Sequence, residues 1–422
     1  MDRVLHARPV ARPSPGVRRR SAPGPAARRA AGRHRHGVRR RPGPHLARAT
    51  QAGERAVTAP VQTPAPVTDR AQAERLDFGR PTRVLRSRRG RFSARLDVRA
   101  AVVTLVLVLL AAAVGVVALG VGDYAVAVPD VLRALTGEAS DVVRMVVVEW
   151  RLPRVLLAIL LGGALGMSGA IFQSLTRNPL GSPDIIGFNT GAYTGALVVI
   201  LVLGGSYGAV AAGAMIGGLT TAGIVYLLAY KNGVQGFRLI IVGIAISAML
   251  ASVNTWLILK AELSRAMAAA TWGAGSLNGL SWTQVLPVVL ILAVLVPPLF
   301  LLGRRMNVLE MGDDAAQALG VRSERTRLSL VVVGVALTAL VTAAAGPIAF
   351  ISLAAPQLAR RLTRGATVGL ASSAAMGAAL LAASDLVAQR AFAPTQLPVG
   401  VVTVSIGGCY LVWLLAREAR RQ

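Results

Sequence analysis

The sequence has a single cysteine, Cys409, among 422 residues, which excludes an intrachain disulfide and any multi-cysteine metal cluster. Its four histidines, His6, His34, His36 and His45, all fall near the N-terminus, so the rest of the chain has no imidazole for metal binding or proton relay. Lysine occurs only as Lys231 and Lys260, neither of which sits between a glycine and a Ser or Thr. A Walker phosphate-binding loop is therefore absent. These gaps exclude most metalloenzyme chemistry and leave no ATPase site, so no catalytic residue, resident metal or cofactor is expected. Charge is also scarce, at 15% of residues against 54% hydrophobic, with a mean hydropathy of +0.57. A chain this apolar is a membrane protein.

What charge there is lies unevenly. Residues 1–99 hold 25 basic and 6 acidic side chains; the other 323 hold 21 and 13. The first segment is rich in Arg, Pro, Ala and Gly, nearly devoid of aromatics, and without helical or strand periodicity, so it is expected to be a disordered basic tail. Clustered arginines suit RNA or anionic lipid. The plainer readings are a flexible cytoplasmic extension or an upstream over-extension of the reading frame, and nucleic acid is not expected as a partner. Ser87-Arg88-Arg89 before an apolar stretch hints at a twin-arginine signal, but cleavage there would remove a membrane helix, so it is read as a positive cytoplasmic anchor.

Membrane crossings are counted from uncharged runs, since about 20 residues span about 30 Å of hydrocarbon. Residues 100–121 and 155–176 each give one crossing, and 185–230, broken at 203–208, gives two. Residues 239–259 give one, and 266–303 give a surface element followed by a span from about Thr283. The run 328–359 is divided by Gly346-Pro347. Reading it as two crossings, one of them short, keeps Arg360, Arg361, Arg364, Arg417, Arg420 and Arg421 inside and leaves Arg390 outside. The expected fold is thus an all-α polytopic membrane protein with about ten transmembrane helices, both termini cytoplasmic, over residues 100–422. On this topology the inner loops carry 14 Lys or Arg and the outer loops 7.

Small residues recur four apart at Gly162 and Gly166, Gly191 and Gly195, and Gly213 and Gly217, the spacing that lets helices approach closely in lipid. Charges within the spans are nearly absent, which disfavours a voltage sensor or an ion-coupled carrier. Asp385 is the main exception. It suits a proton relay, making a proton-coupled secondary transporter the alternative function, or local pairing with Arg390 five residues on. Interruptions at Asn178-Pro179, Gly346-Pro347 and Leu397-Pro398-Val399-Gly400 look like the broken helices of transporters.

Several longer motifs carry a resemblance. Arg151-Leu152-Pro153-Arg154, the run Gly162 to Gln173 and Arg177-Asn178-Pro179-Leu180-Gly181-Ser182-Pro183-Asp184 come first. Met311 to Gly320, Ala345 to Phe350, Ala355-Pro356-Gln357-Leu358-Ala359-Arg360 and Leu397 to Thr403 follow in order. From about residue 100 to the C-terminus the chain resembles the FecCD-type permeases of bacterial ABC importers for iron siderophores and cobalamin. Gln357, where many relatives have His, looks like the ferric-enterobactin (catecholate siderophore) branch.

The resemblance implies a multi-pass subunit of the bacterial cytoplasmic (inner) membrane, working with a second permease copy or a sister permease. Separate ABC ATPase subunits would hydrolyse ATP, and an extracytoplasmic siderophore-binding protein would deliver a ferric siderophore. It places ATPase contact in the loop 303–327, with Gly312, Asp314, Ala315, Leu319 and Gly320 as coupling residues on a short surface helix from Glu310 to Leu319. It places binding-protein docking on Arg151 and Arg154, with Arg390 as the third cation. Gln389 stands where the family has that third arginine, and Arg390 is one position later, about 100° around a helix. Uncharged groups at Ser168, Gln173, Asn178, Asn189 and Thr190 are expected to line the path.

Overall fold

The computed structural model describes residues 82–86, 93–230 and 236–419. Most of the basic segment, with its expected lack of regular structure, lies outside them. Inside it, β1 (Thr82–Arg86) pairs antiparallel with β2 (Ser93–Asp97). These ten residues form a backbone ladder where the sequence shows no strand periodicity. Helix α1 (Val98–Gly120) follows at once, its first turn capped by Asp97, whose carboxylate accepts the Ala100 N–H at 3.1 Å.

The chain then forms α2 (Val128–Thr136) and α3 (Asp141–Arg144), which runs through a π-helical turn, Met145–Arg151, into α4 (Leu152–Thr176). A short α5 (Pro183–Ile186) precedes α6 (Phe188–Leu197), prolonged by a second π-helical turn, Val198–Leu203. Next come α7 (Tyr207–Ala229), α8 (Gly236–Lys260), α9 (Leu263–Gly273), α10 (Trp282–Glu310) and α11 (Asp313–Ala318). The chain ends with α12 (Ser323–Ala345), α13 (Ile351–Thr363), α14 (Leu370–Arg390) and α15 (Val399–Ala419). Among the described residues seven helices are long and apolar enough to cross a membrane, and Phe188–Leu203 and Val399–Trp413 are shorter apolar helices. The fold is an all-helical, polytopic membrane architecture. Its breaks at 204–206 and 346–350 fall where the sequence places them.

Helix α4 is the axis of the core, with Leu157, Leu161, Leu165, Ile171 and Phe172 fully enclosed. It packs against α14, α12, α13 and α10. The small residues explain how closely. A Cβ on Gly162 would strike the Gly377 carbonyl of α14, and one on Gly166 the Ser373 carbonyl. Gly191 and Gly195 on α6 meet Gly217 and Gly213 on α7 in the same way. All three glycine pairs therefore serve helix packing.

Hydrogen bonds between distant segments sort the helix ends onto two faces. On the first, Arg99 Nε donates to the Leu362 carbonyl at 2.9 Å and Arg177 Nη2 to that of Leu309 at 2.9 Å. On the second, Trp282 Nε1 donates to the Val148 carbonyl at 3.0 Å and the Tyr207 hydroxyl to that of Ala344 at 2.7 Å.

Candidate functional site

On the second face the two arginines of Arg-Leu-Pro-Arg sit at the junction of the π-helical turn and α4. Arg154 forms a bidentate pair with Asp385 of α14, Nη2 to Oδ1 at 2.8 Å and Nε to Oδ2 at 2.9 Å. Its Nη1 donates to Gln396 at 3.0 Å, and Gln389 adds a donor to Asp385 at 2.8 Å. Asp385 is only 2% exposed, so both oxygens are matched by donors inside the protein. The pairing of Asp385 with Arg390 expected from sequence is not formed. One helical turn separates Asp385 from Gln389, which reaches it; Arg390 lies about 100° further round and approaches Asp123 at 4.0 Å instead. Arg151 turns its guanidinium onto the carbonyls of Leu119 at 2.8 Å and Tyr124 at 2.6 Å, pinning the loop between α1 and α2. Arg151 and Arg154 share a cleft of about 300 Å³ with Asp123, Tyr124, Gln389 and Gln396, and Arg390 stands beside it. The structure thus brings the three named arginines to one site, two of them held in place by internal partners.

On the first face, α10 ends at Glu310 and a turn at Met311-Gly312 leads into α11. The surface helix therefore starts at Asp313, not at Glu310 as expected from sequence. Gly312 interrupts it with φ of 119°, a backbone only glycine adopts freely. Gly320 closes the helix as expected. At φ of 76° its N–H bonds the Gln317 carbonyl at 2.9 Å while Val321 N–H bonds that of Ala316 at 2.8 Å, the paired closure of a Schellman motif. Ala316 is fully buried, whereas Asp314 and Leu319 are exposed and Ala315 is half-buried. Leu319 is 63% exposed at the tip. Asp313, which sequence reasoning passed over, fastens the helix: Arg327 Nη2 lies at 2.8 Å and Arg177 Nη2 at 3.2 Å.

Three of the five residues expected to line the path bond into neighbouring helices. Ser168 is fully buried, bonding Gly334 O and Thr338 Oγ1, each at 2.7 Å. Gln173 donates to the Leu353 carbonyl at 2.9 Å and accepts from Gln357 at 3.2 Å. Asn189 bonds Thr342 at 3.1 Å and Asp184. Asn178 receives the Leu180 N–H at 2.9 Å, and Thr190 is half-buried on α6. Ser168 and Asn189 are thus bonded to α12, and Gln173 to α13, within one copy of the chain.

Asp184, the last residue of the Arg177–Asp184 motif, is a further polar anchor. Its carboxylate accepts the Ser352 hydroxyl at 2.6 Å and the Phe350 N–H at 3.2 Å, at the start of α13. Burial pushes this carboxyl up to about 6, against the pull of those hydrogen bonds. The available signal was an acid directly before a long uncharged run.

The FecCD transport family model matches residues 106–417. The chain is 53% identical over 324 residues to the ferric enterobactin transport system permease protein FepG of Escherichia coli strain K12, covering 77% of this chain and 98% of that protein. It is 37% identical over 338 residues to the achromobactin transport system permease protein CbrC of Dickeya dadantii strain 3937, covering 79% and 97%. A solved metal-chelate type ABC transporter in an inward-facing conformation shares the fold with a TM-score of 0.66 at 26% identity, over 75% of this chain and 99% of that one. The chain belongs to the FecCD transport family, as a multi-pass membrane permease of a bacterial ABC importer for metal chelates whose ATPase is a separate subunit.

Proposed function

We propose that this permease forms the path for a ferric siderophore of the enterobactin type. The observation that carries this is its 53% identity to FepG across nearly the whole of that protein. The first face is then cytoplasmic, both termini lie inside, and the half-length α13 with α6, α15 and the seven long helices makes ten crossings. Exposed α11 side chains engage the ATPase, with Leu319 and Asp314 entering a groove and Gly312 and Gly320 fixing the helix between two turns. The cleft beside Arg151, Arg154 and Arg390 receives acidic side chains of a binding protein. A second permease copy or a sister permease supplies the other wall of the passage. A proton relay through Asp385 has little support, since a carboxylate held by Arg154 and Gln389 faces its own partners.

Uptake of radiolabelled ferric enterobactin tests the reading, in a strain lacking its own enterobactin permease but retaining the ATPase and binding protein. Restored uptake that a ferric hydroxamate does not compete supports it. Restoration of hydroxamate uptake alone sinks the catecholate assignment.

A further inference from the structure

Residues 177–184, the turn after α4 together with the first two residues of α5, bond both α11 and α13. At its start, Arg177 bonds the last turn of α10 through the Leu309 carbonyl at 2.9 Å and the first residue of α11 through Asp313 at 3.2 Å. At its end, Asp184 receives the Phe350 N–H and the Ser352 hydroxyl at the head of α13. Between them, Gln357 on the next turns of α13 donates to the Pro179 carbonyl at 2.7 Å. The eight residues therefore join the surface helix α11 to the half-helix α13.

The segment is stiff. Pro179 and Pro183 fix two of its backbone angles, and the Asn178 side chain holds the Leu180 N–H at 2.9 Å. Gly181 sits against Thr176 so closely that a Cβ would collide with its hydroxyl. Arg177 itself holds φ of 49°, a left-handed conformation that a side chain disfavours and glycine does not. A glycine would close α4 with less strain; what the arginine adds is its reach to Leu309 and Asp313. Asp313 is in turn fixed by Arg327, which is 8% exposed, so this anchor of Arg177 is tied to the start of α12 as well as to α11.

We propose that residues 177–184 are a transmission strap, in which Arg177 takes up displacement of α11 and Asp184 delivers it to the head of α13. This rests on α11 being the ATPase contact. Arg177 and Asp184 are positioning residues: neither has to touch the transported chelate. Two links in series behave distinctively, because cutting either one disconnects the same path and cutting both does no further harm.

The test uses the whole importer, permease with its ATPase and binding protein, in proteoliposomes, scoring chelate transported per ATP hydrolysed. Arg177→Gly keeps the backbone turn and removes the side chain; it should lower that ratio at least tenfold while the ATPase still co-purifies. Asp184→Asn should lower it too, and the double variant should be no worse than the lower single. Arg177→Lys should recover part of the loss. A ratio unchanged in Arg177→Gly overturns the strap, and so do losses that multiply in the double variant. If Asp184→Asn fails to assemble, Arg177→Gly decides alone. Leu319→Glu separates the two claims: coupling retained there overturns the α11 contact and the strap with it. Coupling lost there but kept in Arg177→Gly overturns the strap only.

Discussion

Arg154 and Asp385 are 231 positions apart in sequence and grip each other through two hydrogen bonds of 2.8 and 2.9 Å at the end of the α4 and α14 pair. Asp385 is almost wholly buried, so this pair has been taken out of water and depends on its own geometry. Removing either partner strands a charge. Arg154→Met or Asp385→Leu alone should destabilise the protein by about 3 kcal/mol, and the two together should recover much of that loss. Thermal unfolding in detergent, followed by tryptophan fluorescence, measures it. Equal losses that simply add would mean the pair contributes through packing alone.

Arg390 differs from its neighbours: among the described residues its guanidinium meets Asp123 alone, at 4.0 Å. Its side chain is 32% exposed and the acid 84%, so the contact is weak and leaves the guanidinium able to meet an incoming carboxylate. Arg390→Glu should slow association of the binding protein several-fold, with the effect fading as salt is raised. Surface plasmon resonance with the permease in nanodiscs reads this. An effect independent of salt would place Arg390 outside the docking face.

How much of this was legible in the sequence depended on the range of the interaction. Charge-free runs located the apolar helices, and Gly320 announced the end of α11, because lipid and backbone closure act locally. The start of α11 is not legible in the same way, because the break before it comes from the φ of 119° at Gly312, which a glycine in a polar loop permits but does not announce. The partner of Asp385 was misassigned for a different reason. A position five residues away is visible in a sequence; a position 231 away is visible only once α4 and α14 are packed. For Ser168, Gln173 and Asn189 residue type alone does not separate packing from passage, since uncharged polar groups in apolar helices serve both; their bonds to α12 and α13 are visible only in the fold. Asp184 escaped notice because its partners, Phe350 and Ser352, arrive from the far side of a helix break.

Asp184 gives the protein a pH dependence whose sign is fixed. Its carboxyl rises from 3.8 to about 6 on folding, so the folded state holds the proton more tightly than the unfolded chain. Stability is then greatest below the unfolded value and falls as pH rises through about 6, by on the order of 3 kcal/mol. The melting temperature of the wild type should drop between pH 4.5 and 7 by more than that of Asp184→Asn, with the pH values chosen at about the ends of this window. Parallel curves for the two proteins would assign the dependence elsewhere.

Gly312 holds φ of 119° with nothing near it that a methyl group would strike, so the cost of a side chain there is conformational. Gly312→Val should leave the membrane helices folded but tilt α11 away from its setting, cutting transport at least tenfold with little change in melting temperature. Uptake assays on a variant of normal abundance check this. Full uptake would remove the turn from the coupling machinery.

The central claim is that this chain is a conduit worked by another subunit. Ferric-siderophore accumulation in proteoliposomes tests it most directly, comparing the permease alone, under a proton gradient, with the permease joined to its ATPase and binding protein. Uphill accumulation only in the complete, ATP-supplied assembly is the expected result. Accumulation by the permease alone, driven by the proton gradient and abolished by Asp385→Asn, would contradict it.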